Sequence, residues 1–473
     1  MPRSVCIHPD HKDTIALALE RNGFLTQGDL AANLMIALST VSRFCRGIRV
    51  SIASFEQICE ALGLEPREIM RSPSVEAQTV ETQSSGIQDI LVANTTQFFA
   101  YDPFWVGRAA LIATLTERLN NNCRLLLLTG LSGIGKTALS ERLTLDLQSN
   151  NYHLLRENFD SQEQSTDFIS FAARLLEGCG QFVSPEERAQ STQLTRRLIA
   201  HLQTTPTLIL IDSLEQILKG SAEKGWSQFK DGGFVTFFQA LLAGNTCQSR
   251  LIITSQELPA QIIEIGSRYQ TVWHCQPISG LSKAEQQELF KQTGFISNSD
   301  LTRIGKAYEG HPLALRTILG EISDAPFFGN VSAYWKRYSS EIEAVEKALA
   351  EAAIGNTTGA EDKWQLDRFT RALRHNVQMR LEQTFERLQR DARIAYILLC
   401  ETAVYRCAVP EDWWLSHLED WAQSDEAQVV ALDVLRDRYL IEEKIEGTEL
   451  LLRQHNLIRS VSLARLKKLT FDI

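Results

Sequence analysis

Between His11 and about Met70, apolar residues recur mostly at helical spacing: Ile15, Leu17, Leu19, Leu25, Leu30, Leu34, Val41, Phe44, Ile48, Phe55, Ile58 and Leu62. With turn signals between the groups, this predicts a set of short helices. Residues 71–87, RSPSVEAQTVETQSSGI, lose the period and become polar and small, the composition of a linker. From about Phe98 to Cys275 the pattern alternates. The apolar runs Leu125–Thr129, Tyr152–Leu155, Leu208–Ile211, Leu251–Thr254 and Thr271–Cys275 are separated by helical stretches, which predicts a parallel sheet with helices on both faces. Residues 280–350 read as helices alone. Residues 366–470 read as helices followed by the strand-like segments Leu440–Glu443 and Glu449–Leu452 around the turn Glu446-Gly447, a pattern that predicts a winged-helix unit. No repeat of 20 to 50 residues is visible.

Composition fits several buried cores. The chain has 473 residues, 44% hydrophobic and 22% charged, which at about 150 residues per domain suggests roughly three domains and excludes a disordered chain, a collagen or a coiled-coil rod. A net charge of -10 excludes a uniformly basic nucleic-acid binder, so any DNA contact must come from a local patch. The nine cysteines are scattered, odd in number and never form CxxC, which fits a reducing cytoplasm. Cys6, His8 and His11 lack a second Cys/His pair at metal-ligand spacing. Neither a signal segment nor a run near the ~18 apolar residues of a membrane span is present. The expectation is a cytoplasmic protein with no membrane partner.

The strongest chemical signal is Gly130-Leu-Ser132-Gly133-Ile134-Gly135-Lys136-Thr137, which follows the run Leu125–Thr129 and opens the helical segment Ala138–Leu147. It matches GxxxxGK[ST] in strand-loop-helix context. Glycines let successive N–H groups and the helix N-terminus point at phosphate oxygens. Lys136 then faces the β and γ phosphates, and the Thr137 hydroxyl is a Mg²⁺ ligand. The strand Thr207–Ile211 ends in Asp212, a hard anion placed to meet Mg²⁺. Three residues on, Glu215 could polarise a water or be an ordinary exposed glutamate of the following helix.

Together with other segments in order, these residues resemble the NB-ARC branch of the STAND ATPases, the nucleotide switches of plant resistance proteins, apoptotic adaptors and many bacterial regulators. The resemblance runs from about Phe98 to the C-terminus. Phe104-Trp-Val106-Gly107-Arg108 looks like the entry motif whose Val backbone meets adenine, and Arg250-Leu-Ile-Ile-Thr254-Ser255 like the sensor strand. Gly310-His311-Pro312-Leu313-Ala314 is similar to the GLPLA segment, in which the proline packs on the nucleotide. Gln454-His455-Asn456 falls where the family has Met-His-Asp, whose histidine contacts the β-phosphate of ADP. The resemblance thus implies ATP or ADP with Mg²⁺, a nucleotide site of Val106, Arg108, Gly130, Ser132, Gly133, Ile134, Gly135, Lys136, Thr137, Ala138, Thr254, Gln256, Pro312, Leu313 and His455, a metal site of Thr137 and Asp212, and catalytic roles for Lys136, Asp212 and Glu215. Three departures stand out. Ser213 takes the place of a second Asp, Gln256 follows the sensor strand where the family has Arg, and Asn456 replaces an aspartate. Family members commonly continue past the histidine segment into sensor repeats or an effector.

Leu25–Ala31 followed by Leu38-Ser39-Thr40-Val41-Ser42-Arg43-Phe44-Cys45-Arg46-Gly47 resembles the helix-turn-helix of phage-repressor-like proteins. On that template Ser39 caps the second helix, Val41 and Phe44 face inward, and Thr40, Ser42, Arg43 and Arg46 face a major groove, with Ser39 beside them. Residues 1–70 nevertheless carry seven Lys or Arg against eight Asp or Glu, so phosphate attraction for one copy is weak. DNA binding and protein docking both remain open for this module. Self-association would multiply weak DNA contacts. The arginines at 368, 371, 374, 380, 387, 390 and 393, broken by acids, read as a solvated helix face, and Trp413, Trp414 and Trp421 as winged-helix packing.

The expected architecture is multidomain: an all-α helix-turn-helix domain (1–70), a linker (71–95), an α/β P-loop NTPase domain with a parallel sheet (96–278), a helical lid (279–350) and a winged helix (351–473). The expected function is an ATP/ADP switch that controls self-association and presentation of the helix-turn-helix in response to an unidentified protein or ligand trigger, and so regulates transcription. The competing reading is a defence or signalling scaffold whose N-terminal module recruits a protein. A metabolic ATPase or kinase is disfavoured because no acceptor-substrate motif is visible.

Overall fold

A computed structural model describes residues 4–8, 11–47, 50–70, 105–147, 152–160, 165–188, 190–221, 226–244, 246–354, 368–419, 421, 423–446 and 449–469. The 71–95 linker call lies outside them. The chain forms two compact units: Met1–Gln97, Leu281–Ala348 and His375–Ile473 make one, Phe98–Gly280 and Leu349–Arg374 the other.

The N-terminal part holds α1 (Lys12–Arg21), α2 (Gln27–Leu34), α3 (Leu38–Arg46), α4 (Ile52–Leu62) and α5 (Pro66–Ile69), with Ser4–Val5 paired antiparallel to Val50–Ser51. A capping box starts α2: Thr26 Oγ1 accepts the Asp29 N–H at 3.1 Å and the Asp29 carboxylate accepts the Thr26 N–H at 2.8 Å. Met35 at φ 57° turns the chain into α3. Val41 and Phe44 face inward as expected, Phe44 packing on Phe55 with ring centroids 5.2 Å apart. Ser39 does not cap α3. The N-cap is Ala37, without a side-chain bond, because the helix begins two residues earlier than the serine would require.

In the second unit, α6 (Ala109–Asn120), β1 (Leu125–Thr129), α7 (Lys136–Leu147), β2 (His153–Asn158), α8 (Phe168–Gly178), α9 (Ser191–Thr204), β3 (Thr207–Asp212), α10 (Gly232–Ala243), β4 (Arg250–Ser255) and β5 (Trp273–Pro277) build a five-stranded parallel sheet of order β5-β1-β4-β3-β2. The three inner strands are buried throughout, the signature of a sheet covered on both faces. Leu125, Leu127, Ile209, Ile211, Leu251 and Ile253 share one core with Phe168, Phe171, Phe234, Phe237 and Phe238 from α8 and α10. Leu126, Leu128, Leu208, Leu210 and Ile252 alternate to the opposite face and are equally buried. The outer strands β2 and β5 start one and two residues later than the apolar runs suggested, and Leu218–Ser221, Trp226–Phe229 and Leu258–Pro259 add a small sheet that no run announced.

The C-terminal part of the chain contains α11 (Lys283–Gln292), α12 (Ser299–Ala307), α13 (Pro312–Ser323), α14 (Val331–Ile354), α15 (Arg368–Asp391), α16 (Arg393–Glu401), β6 (Val409–Pro410), α17 (Asp425–Asp437), β7 (Glu442–Glu446), β8 (Glu449–Arg453) and α18 (Asn456–Leu469), of which the end of α14 and the start of α15, through Arg374, belong to the second unit. The antiparallel sheet β6-β8-β7 closes against α16, α17 and α18, the winged-helix arrangement expected. Two readings need correction. The arginine run is not a solvated face: Arg380 and Arg387 are buried, one and three turns from Asn376, and both pair with buried Glu321 on α13. Burial raises the Glu321 carboxyl, but Arg380 and Arg387 outweigh it and hold it at about 2. Among the tryptophans, Trp414 is fully buried and Trp421 packs on the core, whereas Trp413 is 56% exposed.

Candidate functional site

The P-loop lies where β1 ends and α7 begins. Gly130, Gly133 and Gly135 have φ of 151°, 77° and 92°. Only glycine enters this curve without strain, and a Cβ on Gly130 would come within 2.9 Å of the Ile278 carbonyl. Arg108, itself at φ 61°, fixes the loop: its Nη1 donates to Gly135 O at 3.2 Å, and its Nη2 donates to Ile134 O and, at 3.1 Å, to Ser279 O. Arg108 therefore acts on loop backbone in this structure. Val106, just before it, is buried. Ser132 lies in the loop and Ala138 in the first turn of α7.

Lys136 is buried, and its Nζ donates to Gly130 O and Leu131 O, both at 3.0 Å. Burial pulls the ammonium below its usual range, with Glu215 and Asp212 opposing. Thr137 Oγ1 lies 3.0 and 3.2 Å from the two Asp212 oxygens, and Thr254 at the end of β4 donates to the same carboxylate. Three strand ends thus bring a lysine, two hydroxyls and a carboxylate to one edge of the sheet. A hydroxyl beside a carboxylate is a hard oxygen set that suits Mg²⁺, and a concave loop with a buried ammonium suits a polyphosphate.

Glu215 is placed by a short 3₁₀ turn, Leu214–Ile217, entered through Ser213 at φ 62°. It is half-buried and accepts two bonds from Gln256, from the backbone N–H at 3.0 Å and from Nε2 at 2.8 Å. Burial pushes its carboxyl up against the pull of Lys136. The exposed-glutamate alternative does not describe it, and Gln256 orients Glu215 here. Sequence reasoning missed Arg374. This half-buried residue of α15 is pulled down by burial, with Glu257 and then Glu215 opposing, and its charge also bears on Lys136. Its helical spacing from Arg371 looked like surface patterning, and no local signal distinguished it.

Pro312, Leu313 and His455 belong to the first unit. Pro312 opens α13 behind an N-cap His311 whose Nδ1 accepts the Ala314 N–H at 3.4 Å. Leu313 is part of the winged-helix core, and His455 Nδ1 accepts the Leu457 N–H at 3.2 Å at the start of α18.

The residues read as DNA-facing are turned into their own unit. Ser39 Oγ donates to Asp437 Oδ1 at 2.8 Å, Thr40 Oγ1 to Asp437 Oδ2 at 2.7 Å, and Arg43 Nη2 to Glu443 Oε2 at 3.1 Å. Ser42 Oγ and Arg46 Nη1 both reach Gln292 O, at 3.4 and 3.0 Å. Ser39, Thr40, Ser42 and Arg43 are buried. In this conformation they meet protein, not solvent or a groove.

Comparison with known proteins agrees with the two elements built above. A model of the AAA ATPase domain matches residues 105–227, and a helix-turn-helix model matches residues 24–69. An uncharacterized WD repeat-containing protein, alr2800, of Nostoc sp. (strain PCC 7120) is 26% identical over 342 residues, covering 68% of this chain. The chain spans only 26% of that relative's length. Among solved structures, Cdc6p from Pyrobaculum aerophilum aligns at 12% identity and TM-score 0.32, covering 79% of this chain and 97% of its own. AMPPCP-bound DnaA from Aquifex aeolicus aligns at 14% identity and TM-score 0.34, covering 73% and 98%. The chain therefore carries an N-terminal helix-turn-helix and a P-loop ATPase domain followed by a mainly helical C-terminal part. Among the described residues no helix is long and apolar enough to cross a membrane.

Proposed function

We propose that this chain is a nucleotide-dependent switch of the STAND type, whose ATP or ADP state governs self-association and presentation of the helix-turn-helix, and which thereby regulates transcription. The observation that carries the reading is the meeting of Lys136, Thr137, Asp212, Thr254 and Glu215 at the P-loop of a chain that also bears a helix-turn-helix. In this reading Lys136 neutralises phosphate charge, Thr137 and Asp212 hold Mg²⁺, and Glu215, made more basic by burial, polarises the attacking water. By resemblance to the NB-ARC pattern, Val106, Arg108 and Gln256 complete the nucleotide site. The Nostoc relative is a WD repeat-containing protein, which fits a class whose members commonly carry sensor repeats.

The differential contacts of ADP and ATP would shift a conformational population. The test is to purify the chain, identify its bound nucleotide, and compare particle size with ADP and ATP for wild type and Lys136→Ala. Size that responds to nucleotide in wild type alone supports the switch. No hydrolysis together with nucleotide-independent size overturns it. A second reading, a signalling or defence scaffold, is favoured by one observation: the polar face of α3 is engaged by protein. Duplex affinity lost on Arg43→Ala with Arg46→Ala favours the first reading, and loss of a protein partner with DNA affinity unchanged favours the second.

A further inference from the structure

The side chains of α3 that bind Asp437 and Glu443 are hydroxyls and a guanidinium, the donors that proteins use on DNA phosphates and bases. Their partners are carboxylates, which offer anionic oxygen acceptors of the same hydrogen-bonding sense as a phosphate. Asp437 spends both oxygens on this face, one on Ser39 and one on Thr40. Glu443 is shared between Arg43 and Arg436, the latter at 2.6 Å. An apolar seat reinforces the contact. A Cβ on Gly329 would come within 2.9 Å of Leu38 Cδ2, and one on Gly294 within 3.4 Å of Leu38 Cδ1, so two glycines make room for the first residue of α3. Burying a carboxylate is costly unless donors repay it. Apolar packing alone would have held the helix more cheaply.

We propose that the winged-helix face bearing Asp437 and Glu443 is a docking surface for α3 that competes with DNA for the same donors, Glu443 by its charge on Arg43 and Asp437 by accepting the Ser39 and Thr40 hydroxyls. The proposal rests on the DNA-binding reading of the N-terminal module. Ser39, Thr40 and Arg43 are buried in the docked state, so docking and DNA engagement exclude each other. Regulation by the rest of the chain then needs only to shift the balance between two partners of α3.

Two variants release α3 by different physics, both in the full chain. Glu443→Lys sets a cation opposite Arg43, while Arg436 keeps Glu411 and Asp433. Gly329→Ala crowds Leu38 Cδ2 and, at φ 88°, strains the turn that carries the seat, and alters no charge. Amide hydrogen exchange across Leu38–Arg46 reports undocking, and anisotropy of a labelled random-sequence duplex about three helical turns long reports binding at low salt. The expected result is faster exchange and about tenfold tighter duplex binding in both variants, with the gain removed by adding Arg43→Ala. Unchanged exchange in both variants, while wild type binds the duplex through Arg43, overturns the docking surface and leaves the DNA reading standing. Faster exchange with no duplex binding by any variant overturns the DNA reading and the competition with it.

Discussion

Asp437→Asn isolates the charge in the α3 contact. Burial pushes the Asp437 carboxyl up to about 7 from 3.8. Arg43 and the Thr40 hydroxyl pull against burial, while Asp433 on the same helix and Asp324 beyond α13 push with it. Ser39 and Thr40 of α3 cover both carboxylate oxygens, so the burial is assigned to docking, which then favours the protonated acid. Its contribution to docking is fully present below about pH 4, and is lost as pH rises through about 7. Above pH 7 the docked state bears the whole cost of the buried charge, about 4 kcal/mol from the size of the shift. Asparagine keeps a carbonyl acceptor and an amide donor for the two hydroxyls and stays neutral at every pH. The assay is hydrogen exchange across Leu38–Arg46 from about pH 8 to about pH 5.5, corrected for intrinsic rates. Wild-type protection should rise as pH falls below 7, by up to about tenfold per pH unit. Asp437→Asn should be flat, and about tenfold or more better protected at pH 8. A wild-type profile flat over that range, or an Asn variant with the same slope, refutes the assignment of the buried charge to this contact.

Other consequences follow from the same geometry. Lys136→Ala should weaken Mg-ATP binding by more than about tenfold in calorimetric titration, since the buried ammonium is the loop's one lysine. Glu215→Gln should leave that affinity nearly intact and slow hydrolysis by about 10² or more in single-turnover assays; an unchanged rate would remove Glu215 from the catalytic role. Glu321→Gln leaves Arg380 and Arg387 without their buried carboxylate and should cost about 3–5 kcal/mol in denaturant unfolding at neutral pH. With the Glu321 carboxyl held at about 2, the wild-type advantage should persist above about pH 4.5 and fade as pH drops toward 2.

Local order was legible in the sequence wherever a short-range rule decides it. The runs Leu125–Thr129, Thr207–Asp212 and Arg250–Ser255 read as buried parallel strands, because they are short and the central residues on both faces are apolar. The glycine spacing before Lys136 fixed a phosphate loop, because φ near +90° at Gly135 is denied to other residues without strain. The inward Val41 and Phe44 likewise follow from neighbours in sequence. The loop, the strand carboxylate Asp212 and the helix-turn-helix were therefore visible from residues alone.

Tertiary structure decided what each polar side chain meets, since a charge pattern records which residues are polar and not which partners fold beside them. Arg380 and Arg387 looked like surface charge until Glu321 arrived from another helix. Glu215 was indistinguishable from an exposed glutamate until the turn at Ser213 carried it to Gln256. Ser39, Thr40 and Arg43 had the chemistry of a DNA-reading face, and only the fold set Asp437 and Glu443, nearly four hundred residues away, against them. Hydrogen bonds between distant segments leave no period in the chain, so their donors and acceptors can be named from sequence but not paired.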